Sequence, residues 1–514
     1  MYLYYIALYT FENMKVPKEV REVERPERTI VYAYTDRNGD VRYGVKERTY
    51  WKEGGRQRQK DGPTIGYIES GVFVPLPEDP IPLIAYSESD MLSWGPCQLV
   101  FDLSTDIRED LLQVYNRLDA DKIYSLAVLR TAEEGLKDYE AKDAYENSYL
   151  RVLLPGVPLG RDTVGELLHN LGRTCTRITR FMISRAARIP PNHLLAIDGM
   201  LKSYESDDSF LSDFSHKARM KGTRDISLIM AFDTDTMEPV CVNVFPGNLK
   251  DKSVFAEFVE TNHIHRGVVV VDRGFQYGPA RQVFLDHPDL HFLIPLERDS
   301  RVVSEYNVLS TDRTLANRPA VAGRKVRMHD GRYLYGFRDS DRAAMEEKSW
   351  LSRNRDYDPA ELESLRKTFG SIVFVSDLDA PLEMIYSAYE ERWEIEVLFR
   401  FYKRILTLDE TRVESDQSVI GTEFVNFLSV IMLCRLRKAF YGVESLRSKS
   451  FRSNMRLLAK GVMMRDTPDS EWRPKKLTAK QEEAFIELGL IDRPVVEKRK
   501  AGRPKGSKNK PKVQ

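Results

Sequence analysis

Cysteine is scarce in this chain: Cys97, Cys175, Cys241 and Cys434 are the only four in 514 residues, and no two form a CxxC pair. That spacing excludes a cysteine-built zinc site and a disulfide framework, and it fits a reducing cytoplasm. An excess of one charge is also missing, since 78 Lys/Arg are balanced by 78 Asp/Glu. A nucleic-acid binder of this composition has to gather its basic residues locally. Long apolar runs are absent too. The longest, FVNFLSVIMLCRL from Phe424 to Leu436, is too short and too broken to span a bilayer and reads as a buried helix. The opening MYLYYIALYT has neither the basic start nor the small-residue cleavage site of a signal peptide. No Walker-type loop is present, and the eight histidines, the His263/His265 pair included, read as structural or surface groups. None is paired with a serine or cysteine in a way that suggests nucleophilic hydrolysis. What remains, 42% hydrophobic and 10% aromatic residues, is a globular chain long enough for two to four domains.

Residues 1–100 read as a β-rich module. TIVYAYTDRNGDVRYGV alternates on both sides of an Asn-Gly turn, the pattern of a hairpin. The basic, aromatic and glycine-rich RTYWKEGGRQRQKDGPTIGYIESG after it suits either a small nucleic-acid contact or a solvated hairpin surface. From 101 to 190 the apolar spacing becomes helical. Within TVGELLHNLGRTCTRITRFMISRAARI, two helical stretches flank a glycine, and Arg173, Arg177, Arg180, Arg185 and Arg188 follow it. Two readings stand: a helix-turn-helix whose second helix lies on DNA, or a basic helix packed on its neighbour.

At Pro190 the pattern changes again. HLLAIDG, DISLIMAFDTD and PVCVNVFPGN read as strands, SVFAEFVETN as a helix, RGVVVVDRGF as a buried strand, GPARQVFLDH as a helix and LHFLIPL as a strand. An excursion, 298–370, interrupts this series, and SIVFVSD resumes it. The expected α/β domain therefore comprises 191–297 and 371–410, with 298–370 as an insertion subdomain. A helical region, 411–496, and a basic tail, 497–514, follow. Between Lys498 and Lys512 the tail holds eight Lys/Arg and no acid, a composition that cannot fold alone. Its Gly-Arg-Pro suits Arg503 for a narrow minor groove, and a solvated, generally phosphate-attracted tail is the other reading.

The stretch around which the rest is organised is PLEMIYSAYEERWEIEVLFRFYKRIL, Pro381 to Leu406. Read as one helix, it sets Tyr389, Arg392, Glu396 and Lys403 within about 60° of one another, opposite an apolar face. Glu391 and Glu394 point away from that stripe. Arg392 and Glu396 at i,i+4 also fit an ordinary surface ion pair. Two aspartates, Asp198 and Asp272, end apolar strands, and Gly199 and Gly274 beside them leave room for a substrate backbone. Three carboxylates from two strands and a helix suffice to hold two hard divalent cations for in-line phosphoryl displacement. Asp233, Asp235 and Asp377 also end strands, and read as turn residues.

Tyr389, Arg392, Glu396 and Lys403 at this spacing, with AIDG at Asp198 and VVVVDRGF at Asp272 upstream, resemble the Tyr-Arg-Glu-Lys signature of insertion-sequence-four-like DDE transposases. The likeness covers about 190 to 440. It implies an RNase H-like mixed-sheet catalytic domain with a β-rich insertion. Asp198, Asp272 and Glu396 would be the catalytic and metal-binding residues, using two Mg²⁺ (or Mn²⁺). Tyr389, Arg392 and Lys403 would grip DNA near a flipped terminal base, with Arg273 beside Asp272; an aromatic from the insertion would stack on that base, with Trp350 and Tyr335 as candidates and ordinary packing as the other role for each. The implied activity is cut-and-paste transposition. DNA would be nicked at the element's ends, a hairpin formed and resolved, and the 3′-hydroxyl transferred to target DNA. The expected partners are the element's terminal inverted repeats, target DNA and a second copy in a synaptic complex, with no membrane. The expected setting is a prokaryotic cytoplasm, on the nucleoid. A non-cleaving DNA-binding descendant of a transposase and an RNase H-like nuclease are the competing readings.

Overall fold

The computed structural model describes residues 15–36, 39–53, 56–76, 90–204, 206, 209–215, 223–249, 251–271, 277–404, 413 and 415–493. The chain divides into two compact units, Met1–Ser89 with Asp466–Asp469, and Asp90–Arg465 with Ser470–Gln514. The first holds an antiparallel sheet of β1 (Thr29–Thr35), β2 (Val41–Glu53), β3 (Arg56–Glu69) and β4 (Val72–Pro75), paired in chain order. The alternation on either side of the Asn-Gly turn is realised as the β1–β2 ladder, Thr35 opposite Val41. Its core is small: Val31, Val45 and Ile68, flanked by half-buried neighbours. The far halves of β2 and β3 are exposed, and Tyr50 and Trp51 stand in solvent.

In the second unit, β5 (Asp90–Ser93) joins two short strands late in the chain, Val462–Arg465 and Arg473–Pro474. Helices α1 (Arg117–Ala132), α2 (Arg161–Arg173) and α3 (Cys175–Ala186) come next. The α2–α3 break falls at Thr174, and Gly172 lies inside α2. Helix α3 buries Ile178, Phe181, Met182 and Ala186. Arg188 makes a two-pronged pair with Asp110 (2.8 and 2.5 Å), and Arg185 is buried, donating to Pro239 O. Arg173, Arg177 and Arg180 remain exposed. One side of α3 is thus the packed helix of the second reading, and its outer side keeps two cations, Arg177 and Arg180, with Arg173 at the end of α2.

The centre is a nine-stranded mixed sheet. Its strands are β6 (Leu194–Ser203), β7 (Asp225–Asp233), β8 (Glu238–Pro246), β9 (Arg266–Val270), β10 (Asp289–Leu296), β11 (Arg313–Leu315), β12 (Arg318–Arg327), β13 (Tyr333–Asp339) and β14 (Ser371–Ser376). The spatial order is β11-β12-β13-β14-β10-β9-β6-β7-β8. Only β6–β9 and β9–β10 are parallel. Parallel neighbours need a crossover, and α4 (Asp251–Thr261) and α5 (Tyr277–Asp286) precede and follow β9 for that purpose. The strands of 298–370 add to this same sheet, because β13 pairs with β14 from Arg338↔Ser371 to Tyr333↔Ser376.

Alternate residues of the central strands fall into two cores: Val268, Val270, Leu293, Ile372 and Phe374 in one, Val269, Val271, Phe292, Val373 and Val375 in the other. That is the period-2 signature of a sheet covered on both faces. Helix α6 (Ser340–Arg353) precedes β14, and α7 (Leu382–Glu391) and α8 (Trp393–Arg404) follow it. The expected continuous helix over 381–406 is therefore two helices, broken at Arg392. Helix α7 buries Leu382, Ile385, Tyr386 and Ala388 in one core, while α8 buries Ile395 and Leu398 in the other. A straight rod could not serve both faces. Helix α9 (Asp416–Gly442) is long and apolar enough to cross a bilayer, but most of its apolar residues are buried inside this unit.

Candidate active site

Asp198 is the fifth residue of β6, which runs on to Ser203 and does not stop at the acid. On one side β6 pairs with β7 throughout, Asp198 opposite Met230. On the other, the described pairing with β9 ends at Ala196↔Val270. Asp198 stands, half-buried, two residues past that last described rung. The Gly199 N–H donates to its Oδ1 at 2.8 Å. That same last rung is two residues short of position 272 in β9's sequence. Asp272, Arg273 and Gly274 lie outside the described residues, as does Arg503.

Two contacts hold α7 and α8 to β6. At the last residue of α7, the Thr234 hydroxyl lies 3.4 Å from Leu194 O and 3.3 Å from the Glu391 carboxylate. Toward the end of α8, Lys403 Nζ donates to Leu201 O at 3.1 Å. In sequence, Asp198 lies between Leu194 and Leu201, and Glu396 between Glu391 and Lys403.

Glu396 is one-third exposed and pairs with Arg392 at 3.0 Å. The i,i+4 pair foreseen from the sequence forms, and it places a cation beside the acid. Lys403 is exposed and rests on the β6 backbone. Tyr389 lies on α7, its ring 5.2 Å from Phe374, and Arg342 of α6 donates to its hydroxyl at 2.9 Å. Glu346 holds Arg342 in turn at 2.8 Å and pairs with Arg298. Burial opposes ionisation of Glu346, yet hydrogen bonds from Arg298, Arg342 and the Gly370 N–H bring its pKa down to about 2. Tyr335 is fully buried, its hydroxyl donating to Leu378 O at 2.6 Å, so it is a core residue and not a stacking platform. Trp350 packs edge-on against Tyr357 at 5.4 Å.

The other acids are occupied as the turn reading expects. Asp233 Oδ1 accepts from the N–H groups of Asp235 and Thr236, and Asp235 Oδ2 from that of Leu194. Asp377 accepts from Phe292 N, with His291 Nδ1 at 2.9 Å. Among the described residues, two groups bring three metal-ligand atoms within 4.8 Å: His193/Asp233/Asp235 and Glu260/His265/His287. Neither includes Asp198 or Glu396.

The sequence reading missed Glu391, which it pointed away from the site. Burial, with Asp235 and Glu390 nearby, raises its pKa. It also missed the pair Lys202–Glu423 (2.5 Å), fully buried, which ties α9 to the strand of Asp198. The only signal for that pair was Lys202 itself, a cation four residues beyond Asp198 on the same strand.

Residues 192–426 match the family model of the transposase DDE domain. The match supports a DDE transposase. The matched stretch spans β6 through the first turns of α9 and takes in both Asp motifs and the Tyr-Arg-Glu-Lys residues. Among solved structures, one similar chain is the piggyBac transposase synaptic complex with hairpin DNA, determined by cryo-EM. The likeness has a TM-score of 0.38 and 11% identity, over 73% of this chain and 82% of that one. No curated protein matches the chain.

Proposed function

We propose that this chain is a cut-and-paste transposase of an insertion sequence, acting on the ends of its own element through an RNase H-like domain of the insertion-sequence-four type. The observation that carries the reading is the match of residues 192–426 to the DDE domain, and α8, which bears Glu396, meets the strand of Asp198 through Lys403. Asp198, Asp272 and Glu396 are the proposed catalytic set. Their donors suit the group the family implies, being hard carboxylate oxygens. They would hold Mg²⁺ or Mn²⁺, two ions per site. When bound, such ions activate the attacking oxygen and stabilise the leaving one.

The chain's own side chains do the rest. Gly199 adds no bulk beside Asp198. Arg392 orients the Glu396 carboxylate and offsets its charge until a phosphodiester takes over that cation. Arg392 and Lys403 then track the DNA backbone, and backbone contacts of this kind position a duplex without reading its sequence. Arg342 fixes the Tyr389 phenol, whose proposed role is against the terminal nucleotide. Arg273 and Arg503 are proposed as further phosphate and minor-groove contacts. The proposed partners are the terminal inverted repeats, target DNA and a second copy of the chain, and the proposed setting is a prokaryotic cytoplasm.

The test is nicking of supercoiled DNA carrying the inverted repeats that flank the reading frame. Cleavage should require Mg²⁺ or Mn²⁺. It should be lost in Asp198→Ala, Asp272→Ala and Glu396→Ala, while each variant still binds the ends. Retained cleavage in any variant removes that residue from the set. Binding without cleavage by the parent chain would favour a DNA-binding descendant, and cleavage indifferent to the repeats a nuclease.

A further inference from the structure

Far along β9 from the end that leads to Asp272 lies a second cluster, which the transposase reading does not use. Glu260 is in the last turn of α4, His265 immediately precedes β9, and His287 immediately follows α5. One ligand atom from each lies within 4.8 Å of the others. The His265 and His287 rings stack 3.8 Å apart, and His263 stacks on the outer side of His265. Glu260 Oε1 is 2.9 Å from His287 Nε2, and its Oε2 is 3.9 Å from His265 Nε2.

One atom is out of place for a merely packed cluster. His265 Nε2 is buried and has no hydrogen-bond partner. A ring nitrogen shut from water without a partner costs stability, and here it faces a carboxylate and a second imidazole.

We propose that Glu260, His265 and His287 form a structural site for a borderline transition-metal ion, Zn²⁺ above all. Two imidazole nitrogens and one carboxylate oxygen suit Zn²⁺ and its neighbours, whereas Mg²⁺ and Ca²⁺ call for all-oxygen sets. Water completes the coordination. The imidazole lone pairs lie in the ring planes, so binding turns the two rings out of their 10° near-parallel stack until the nitrogens converge. His287 binds through Nε2 as the tautomer that carries its proton on Nδ1. The ion would brace α4, α5 and the entry to β9, the strand that leads to Asp272.

The test uses the tag-free full chain, stripped with a chelator and titrated with Zn²⁺, Mg²⁺ and Co²⁺. The expected results are one Zn²⁺ per chain retained in excess Mg²⁺, a further rise in Tm when Zn²⁺ is added over saturating Mg²⁺ as mass action requires, and visible Co²⁺ absorption of a nitrogen-oxygen site. Zn²⁺ binding should be lost in Glu260→Gln and in His287→Gln, and kept in His263→Ala and Asp198→Ala. A parent chain whose Tm is indifferent to Zn²⁺, or Gln variants that bind it as the parent does, would overturn the site. The parent titration decides even where a variant fails to fold.

Discussion

Glu391 is the residue whose chemistry the helix break exposes most directly. It ends α7, bonds the Thr234 hydroxyl, and lies in the field of Asp235 and Glu390. Burial and those two acids raise its pKa, so the folded chain binds its proton more readily than the unfolded chain does. The sign follows from proton linkage: above the raised pKa the ionised carboxylate costs folded-state stability, and the cost disappears as pH falls through that pKa. Glu391→Gln keeps an acceptor for Thr234 and removes the charge. It should raise Tm at pH 7, with the gain fading on acidification once the parent's Glu391 is protonated. Thermal unfolding of parent and variant from pH 7 down to pH 4 measures this, and a Tm lowered at pH 7 contradicts it. Asp198 differs in kind. Its register on β6 was legible to the residue in AIDG, because a single acid set into a buried apolar run stands out from its surroundings. That the strand runs on past it was not, because β7 supplies the partner from elsewhere in the chain.

Among the elements, the series β6 to β10 with its two crossovers was readable as apolar runs separated by helical spacing, and the structure repeats it in order. The break at Arg392 was not readable. The stretch has no Gly or Pro inside it, and its amphipathic pattern continues across the joint. What divides it is tertiary: Glu391 reaches Thr234, and the apolar sides of α7 and α8 serve different faces of the sheet. The same limit hid the membership of β12 and β13 in the central sheet, since strand pairing between distant segments leaves no local mark.

Gly172 shows the limit most plainly. In the sequence it looks like the turn of a helix-turn-helix. In the fold it lies inside α2, where an added Cβ would meet Gln417 O at 1.9 Å, and Gly421 of α9 faces Leu168 O at 2.0 Å in the same way. Two glycines let α2 and α9 cross backbone to backbone. Gly421→Ala must therefore push the helices apart, at a cost of about 1–3 kcal/mol, as for other overpacked cores. Urea unfolding should show a lower midpoint at an unchanged m-value, and a neutral result would mean that the crossing is loose.

For the molecule as a whole, a formal charge of zero has to be reconciled with a polyanionic substrate. Neutrality means that long-range attraction cannot come from the average surface. It has to come from local collections of cations, and the largest in the sequence is the tail, with eight Lys/Arg between Lys498 and Lys512. The other cations near the candidate site are partly committed, Arg392 to Glu396 and Lys403 to the β6 backbone. Removing residues 497–514 should therefore weaken DNA binding with little regard to sequence. It should also flatten the dependence of log K on log salt, by about 0.9 for each duplex phosphate that the shortened chain leaves unneutralised. Metal-dependent nicking at saturating DNA should persist, since none of the proposed catalytic acids is removed. Binding isotherms of the full and shortened chains over a range of salt concentrations test this. An unchanged slope would mean that the tail touches no phosphate, and the burden would shift to the exposed cations of α3 and of the β2–β3 hairpin.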